Sequence, residues 1–364
     1  MNSILLIDDK ATVLEELERG LRKLLGPKDA EIRRWSPSKE VTDPRAAFEK
    51  LIDKDTVLVV TDQDLTGTGA TGLFGSSIVA WCQGLAIPVG DYSRALQSKL
   101  PKEPNLFEVR VPPDPDRAAS LIAAVFRGFA RIREQLAANK DLLAKRSPAA
   151  AIAGLLDVQA LESQFALYGV RLGATSAALV ERFVSTAAPD KEPTEEEKRA
   201  LLAYIVGHLL LNAVLKFPGP IASATELSGY LGVAPGEMAE IGKLLEAAVY
   251  KGPFSEVCTY YWVSKVDDLL RPLIDALKET EAKTETHGER HRVALEQKLG
   301  KKLKRYDCPR CHGQNGGYWC PFTSHAVCQR PDCSVGANSW VPQGARLCRI
   351  ERGFYDEWAP ILGI

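Results

Sequence analysis

Residues 57–67, VLVVTDQDLTG, place an aspartate, Asp62, directly after a continuous apolar run. An apolar run of this length, bounded by polar and turn-forming residues, is typical of a strand that is buried on both faces of a sheet. Residues 3–9, SILLIDD, repeat the arrangement, with Asp8 and Asp9 after the run. Two buried strands that each end in carboxylates predict a parallel sheet with an acidic edge.

The first 112 residues alternate such runs with helical patterns. Apolar residues recur at the spacing of one helix face between the first two strands, at Val13, Leu14, Leu17, Leu21 and Leu24. Further strands are predicted at 31–35, 56–60, 86–90 and 106–111, and further helices at 44–52 and 76–82. This alternation predicts an α/β domain in which helices cover both faces of a parallel sheet.

Asp114 and Pro115 begin the last helix of this domain, because aspartate caps helix N-termini and proline fits the first helical position. The apolar stripe of this helix continues to Leu136. The pattern is compatible with two positions for the C-terminal end of this helix. The helix either breaks near Asn139 or extends to about residue 146 and projects as a connector or pairing surface.

Residues 148–306 have the pattern of a helical domain, with capping-box motifs at 194–197 and 223–226. We find no nucleophile elbow, phosphate-binding loop or metal-binding histidine pair in this segment, so it predicts no enzyme. Residues 225–245 resemble a helix-turn-helix. Because the second helix begins with an acidic sequence that would repel DNA phosphates, we interpret it as a packing motif.

The charge of the chain favours neither nucleic acid nor membrane as a partner. Its 46 basic and 47 acidic residues give a formal net charge of -1. One local basic run consists of Lys298, Lys301, Lys302, Lys304 and Arg305. We interpret this run as a solvated face, with a phosphate-binding patch as the alternative.

The most apolar segment, residues 201–217, is shorter than a bilayer requires and contains His208 and Asn212. These two polar residues lie one helical turn apart and predict a hydrogen-bonded core pair. The N-terminal segment has no basic leader before its apolar run, so we expect no secretion signal. We therefore expect a soluble, cytoplasmic protein.

Six of the eight cysteines lie within residues 308–348 and include the paired motifs CPRC (308–311) and CQRPDC (328–333). In a reducing compartment such pairs favour a metal over disulfides. The spacing resembles a zinc ribbon, with Cys308, Cys311, Cys328 and Cys333 as ligands of a structural Zn²⁺. Cys320, His312, His325 or Cys348 could replace one member of this set.

The carboxyl ends of parallel strands meet at one edge of a sheet, so Asp8, Asp9 and Asp62 should converge. Three carboxylates in one small space repel one another unless a cation neutralises them or they gain protons. A ligand set made only of oxygen suits Mg²⁺. The acidic edge therefore predicts a magnesium site.

The motifs ILLIDDK, VVTDQDLTG and IPVGDYSR, over about residues 1–130, resemble the receiver domain of two-component response regulators. The resemblance implies a flavodoxin-like α/β fold and a bacterial regulatory setting. It also implies that Asp8 and Asp9 bind Mg²⁺ together with the backbone carbonyl of Asp64. Asp62 would then accept a phosphoryl group, and Ser93 would be the switch residue.

The sequence departs from the receiver pattern at the fifth strand. Receivers place a lysine before a proline there, whereas this chain has Val111 before Pro112. Arg110 is one position out of register, and because side chains alternate along a strand it should point away from the pocket. A phosphorylated Asp62 would lack its usual second cation, so a receiver fold kept as an interaction platform is favoured over a phosphorylated domain.

We therefore expect three domains: residues 1–130 (receiver-like), 148–306 (helical) and 307–364 (zinc ribbon). The expected function is that of a non-enzymatic signalling or adaptor protein, in a bacterial regulatory or defence system. The expected partner is a protein that binds the helical domain or the receiver face, with an upstream histidine kinase or a second copy of the chain as further candidates. The alternative is a DNA-binding response regulator controlled by phosphorylation of Asp62.

Overall fold

The computed structural model describes residues 1–65, 67, 73–92, 106–144, 147–169, 194–277, 286–312, 316–336 and 340–362. The chain forms two compact units. The first consists of Met1–Asp157 and Leu172–Asn212, and the second of Val158–Arg171 and Ala213–Ile364. Residues 148–306 are therefore divided between the two units.

The first unit contains a five-stranded sheet in the order β2-β1-β3-β4-β5, with every neighbouring pair parallel. The strands are β1 (Ser3–Ile7), β2 (Glu31–Trp35), β3 (Thr56–Asp62), β4 (Val89–Tyr92) and β5 (Val109–Val111). The prediction of an α/β domain is confirmed. The sheet forms because β1 and the first six residues of β3 are buried, which removes their apolar side chains from water.

The helices of the first unit are α1 (Ala11–Leu24), α2 (Pro44–Glu49), α3 (Gly75–Gly84), α4 (Pro115–Ala138), α5 (Lys140–Leu143), α6 (Pro148–Leu155) and α8 (Glu195–Leu209), whereas α7 (Glu162–Gly169) belongs to the second unit. Helices α3 and α4 pack on the sheet. In α1 the predicted stripe is buried at Val13, Leu14, Leu17 and Leu21. Helix α1 packs along α4, and α4 also packs along α8.

The ends of α4 follow local hydrogen bonding. The Asp114 side chain accepts a hydrogen bond from the backbone N–H of Arg117, and Pro115 occupies the first turn, as the sequence predicts. The helix ends at Ala138 because Asn139 adopts an extended conformation. The Asn139 side chain then caps α5 by accepting from the Asp141 N–H.

His208 and Asn212 form the predicted core pair, with Asn212 Nδ2 3.2 Å from His208 Nδ1. Asn212 also donates to the backbone carbonyls of Leu106 and Glu108, at 2.6 and 3.1 Å. Burial lowers the pKa of His208 to about 3, so its imidazole is neutral in the folded protein. The pair is therefore a structural link between α8 and the segment leading into β5.

The second unit begins its core with a two-stranded antiparallel sheet of β6 (Ile221–Ser223) and β7 (Tyr260–Trp262). Its helices are α9 (Ala224–Leu231), α10 (Met238–Leu244), α11 (Val263–Asp275) and α12 (His287–Leu299). Both predicted capping boxes are present, at Thr194 in the first unit and at Ser223 in the second. Gly232 ends α9 with φ of 69°, a left-handed conformation that favours glycine.

The end of the chain contains two small antiparallel sheets followed by a helix. The first sheet pairs β8 (Tyr318–Cys320) with β9 (His325–Val327), and the second pairs β10 (Ser334–Val335) with β11 (Ile350–Glu351). Helix α13 (Arg352–Leu362) follows. Within the described ranges, no helix has both the length and the apolar character that a membrane span requires.

Candidate metal centres

The acidic cluster lies at the carboxyl ends of β1 and β3. These strands are parallel neighbours with Ile7 opposite Thr61, so the residues that follow, Asp8 and Asp62, emerge side by side. One carboxylate oxygen from each of Asp8, Asp9 and Asp62 lies within 4.8 Å of the others. The predicted convergence of the three aspartates is therefore seen in the structure.

Hydrogen bonding leaves part of this cluster unsatisfied. The backbone N–H of Lys10 donates to Asp8 Oδ1 at 2.7 Å. One oxygen of Asp9 and one of Asp62 are buried and have no hydrogen-bond partner among the described residues. Buried carboxylate oxygens without partners are costly in free energy, and a cation would satisfy both.

Burial and charge crowding both raise pKa values in the cluster. The pKa of Asp8 is raised to about 6, chiefly by burial; the negative charges of Asp62 and Asp9 add to the rise, and the hydrogen bond from the Lys10 backbone opposes it. Burial is also the main cause of the raised pKa of Asp62; hydrogen bonds from backbone N–H groups and the charge of Lys10 oppose it. A bound divalent cation would reverse these shifts because it favours the ionised carboxylates.

The loop after β3 lies close against the cluster. A Cβ atom at Gly67 would stand 2.0 Å from Asp9 Oδ2, so only glycine fits here without a shift. Asp64, whose backbone carbonyl is a predicted metal ligand, is exposed. Ser93, the predicted switch residue, lies outside the described residues.

Strand β5 has the side-chain pattern that the sequence predicts. Val111 is buried at 3% exposure, and Arg110 is exposed. Val111 packs beside Gly90 of β4, where an added Cβ would meet its Cγ2 at 3.0 Å. The position before Pro112 is therefore occupied by a buried aliphatic side chain.

The second candidate centre is the cysteine cluster. Cys308, Cys311, Cys328 and Cys333 each place a sulfur within 4.8 Å of the other three, close enough to bind one metal ion. Cys311 Sγ lies 3.8 Å from Cys328 Sγ. The β8–β9 hairpin forms most of the insert between the two pairs, so local hairpin pairing brings distant thiols together.

Three of the four alternative ligands have other contacts. Cys320 Sγ accepts from the backbone N–H of Glu351 at 3.3 Å, and Cys348 Sγ donates to the carbonyl of Pro218 at 3.8 Å. His325 is exposed and lies 3.7 Å from the Glu351 carboxylate. Neither these residues nor His312 belong to the four-sulfur cluster.

The basic run is largely neutralised by carboxylates. Lys301 pairs with Glu237 and Glu240, Lys302 with Glu296, and Arg305 with Asp307. Glu240 lies on α10, the second helix of the segment that resembles a helix-turn-helix. Because that helix also buries Met238 and Ile241, its observed contacts are those of packing.

One cluster was missed by the sequence reasoning, which found no metal-binding histidine pair in residues 148–306. His287 and His291 lie on α12 one turn apart, and both rings contact Tyr230, with centroids 5.1 and 4.8 Å from it. Tyr230 donates a hydrogen bond to Asp267 Oδ1 at 2.8 Å. The sequence feature that could have revealed this cluster is the four-residue spacing of the two histidines on a helix.

Comparisons of this chain with models of protein families, with curated proteins and with solved structures found no match. Its function must therefore be inferred from the chemistry of the two clusters. One is a set of hard oxygen ligands at a sheet edge, and the other is a set of four soft sulfur ligands in a small hairpin module.

Proposed function

We propose that this chain is a non-enzymatic signalling or adaptor protein, with a receiver-like, flavodoxin-like first unit and a zinc-stabilised C-terminal interaction module. The observation that carries the first part is the convergence of Asp8, Asp9 and Asp62. The strand order 2-1-3-4-5 of the parallel sheet also supports it, because doubly wound sheets of this order bind ligands at the carboxyl ends of their strands.

The acidic cluster is proposed to bind Mg²⁺. Hard oxygen ligands suit this ion, and the unpartnered oxygens of Asp9 and Asp62 are suitable positions for it. The backbone carbonyl of Asp64 is a further candidate ligand. When bound, the ion supplies the positive charge that lets the three carboxylates ionise together.

The first unit is proposed to act as a platform rather than a phosphorylation switch. A phosphoryl group on Asp62 would add negative charge to a pocket that already holds three carboxylates. In receivers a lysine offsets that charge, and here the corresponding position holds buried Val111. Without that preorganised cation, coupling between the pocket and the rest of the domain is weakened.

The test is incubation of the whole chain with Mg²⁺ and beryllium fluoride, a mimic of the aspartyl phosphate, with the molecular mass in solution as the readout. The platform proposal expects the same mass with and without the mimic. A change in mass that the Asp62→Ala variant abolishes would overturn it. The Asp64→Asn variant is the matched control, because it removes an exposed carboxylate two residues away.

The cysteine cluster is proposed to hold a structural Zn²⁺. Four thiolates fill a tetrahedral shell and leave no open position for a substrate, which favours a structural over a catalytic role. The ion would stabilise a module of short strands whose core is small. In this module the rings of Phe322, Trp340, Phe354 and Tyr355 contact one another. Trp340 is buried and the other three residues are half-buried, and we propose the half-buried rings as the contact for a protein partner.

The proposed setting is a bacterial regulatory or defence system, and the proposed partner is another protein. DNA is a weaker candidate because the carboxylates of Glu237, Glu240 and Glu296 already neutralise much of the basic run. Sensitivity of binding to salt separates these alternatives. Duplex DNA binding that weakens steeply as salt rises would favour the DNA-binding alternative over the adaptor.

A further inference from the structure

A cavity of about 260 Å³ lies in the second unit between α9, α11 and α12. Its lining residues are Tyr230, Asp267, Arg271, Ile274, His287, Arg290 and His291. The proposed adaptor function uses none of these residues. Two imidazoles and one carboxylate in one cavity are a ligand set that late first-row divalent metals prefer.

His291 is the strongest indication of a ligand. It is 6% exposed, and its Nδ1 atom is buried with no hydrogen-bond partner among the described residues. A buried ring nitrogen without a partner is unfavourable unless something binds it. The atom belongs to a residue that lines the cavity, so a ligand in the cavity could satisfy it.

The groups around the histidines match the outer shell of a metal site. His287 Nε2 lies 3.1 Å from the carbonyl of Gly317. Metal-binding histidines usually donate their second ring N–H to a carbonyl or carboxylate, which fixes the ring and leaves the first nitrogen for the metal. The Tyr230 hydroxyl orients Asp267 in the same way and leaves its second oxygen available.

From this arrangement we propose that His287, His291 and Asp267 form a third metal centre, which takes Zn²⁺ or a similar divalent transition metal. Solvent in the cavity would complete its coordination, in contrast to the closed shell of four cysteines.

Binding requires the two histidine rings to approach each other. The two histidine ring centroids are 6.0 Å apart, with ring planes at 75°. Two imidazoles on one tetrahedral zinc have centroids about 5 Å apart, given Zn–N bonds of about 2.0–2.1 Å. The rings must therefore approach by about 1 Å, which side-chain rotation on one helix can supply. Unlike the two clusters above, the three ligands are not gathered within 4.8 Å of one another before binding.

The charges in the cavity permit a cation. Asp267 is the one acidic side chain among the lining residues that the structure describes. Arg271 also lines it, but its guanidinium is bound to Asp268 at 2.7 Å, and Arg290 is exposed to solvent. The charge of Arg271 is thus paired with a carboxylate and that of Arg290 is screened by water. The His291 Nδ1 atom, in contrast, is buried.

The test is zinc loading of the whole chain in excess Mg²⁺, which keeps the acidic cluster occupied, followed by elemental analysis. We expect two zinc ions per chain in the wild type and one in the His287→Ala/His291→Ala double variant. The control is His325→Ala, which removes an exposed histidine of the β8–β9 hairpin and should retain two ions. One ion in the wild type, or two in the double variant, would overturn the proposal.

Cobalt substitution of the wild type gives a second readout that does not depend on the variants folding. Co²⁺ at the cysteines produces strong sulfur-to-metal charge-transfer absorption, whereas Co²⁺ on nitrogen and oxygen ligands gives only weaker visible bands. The proposal expects a second equivalent of Co²⁺ to add the weaker bands without increasing the sulfur absorption. Saturation after one equivalent would contradict it, and a missing sulfur band would count instead against the cysteine site.

Discussion

Replacing Asp8 with asparagine should stabilise the metal-free protein. Asp8 is 3% exposed, and its pKa rises from 3.8 to about 6, chiefly through burial. At pH 7 a rise of this size costs the folded state about 3 kcal/mol, at 1.36 kcal/mol per pKa unit. Part of that cost is shared with Asp9 and Asp62, so we expect Asp8→Asn to recover about 1–3 kcal/mol, or roughly 2–12 °C in the melting temperature of the unit.

The sign of the pH dependence follows from the direction of the shift. A carboxyl group whose pKa is raised by folding leaves stability intact below its unfolded pKa and reduces it as pH rises through the folded value. The gain from Asp8→Asn should therefore be absent below about pH 4, develop up to about pH 6 and persist at pH 7. Asparagine keeps an oxygen that can accept the Lys10 N–H, so the local hydrogen bond is retained.

The assay is calorimetric melting in chelator and in Mg²⁺, over pH 4 to 8. In chelator the variant should melt above the wild type, and in Mg²⁺ the difference should shrink or reverse, because the wild type alone keeps all three carboxylates. The Asp64→Asn control should change little in either condition, since that side chain is exposed. Destabilisation by Asp8→Asn in chelator at pH 7 would refute the electrostatic reasoning.

Three further predictions concern other parts of the chain. Burial raises the pKa of Glu226 from 4.5 to about 7. The stability of the wild type should therefore fall by up to about 3 kcal/mol as pH rises between those values, and Glu226→Gln should remove this fall. Urea midpoints of the variant that keep the wild-type dependence on pH would contradict this. A Cβ at Gly207 would stand 2.2 Å from Phe129 Cε1, so Gly207→Ala should lower the free energy of unfolding by about 1–3 kcal/mol in chemical denaturation. Cys333→Ser should lower the zinc content by one ion per chain in elemental analysis and should abolish the near-ultraviolet circular dichroism of the C-terminal module. A strong chelator should have both effects on the wild type. A variant that keeps its zinc would show that Cys333 is not a ligand.

The features that the sequence predicts correctly are those that short-range chemistry determines. A continuous apolar run placed β1 at its observed bounds, because a strand buried on both faces leaves no polar position. The Asp114 cap was predictable because its hydrogen bond spans only three residues. The four-cysteine cluster was predictable from two tight pairs of thiols, each brought together by its own turn.

What the sequence reasoning missed depends on contacts distant in sequence. Lys301 pairs with Glu240 across 61 positions, so the basic run could not be seen as neutralised from its own residues. The environment of His291 is made by Tyr230 and Asp267, which come from two other helices. The spacing of His287 and His291 can be read from the sequence. The cavity, and the buried His291 Nδ1 atom without a partner among the described residues, can be recognised only in the folded structure.

Asp8, Asp9 and Asp62 converge, and we propose that they bind one divalent cation. The most direct test of this cation site is calorimetric titration of Mg²⁺ into the whole chain and into the Asp9→Asn/Asp62→Asn double variant. These substitutions replace the two carboxylates that each have one buried oxygen without a hydrogen-bond partner among the described residues. We predict one Mg²⁺ site in the wild type and an affinity at least about tenfold lower in the double variant, a loss of about 1.4 kcal/mol or more. Equal Mg²⁺ affinity in the two proteins would contradict the account.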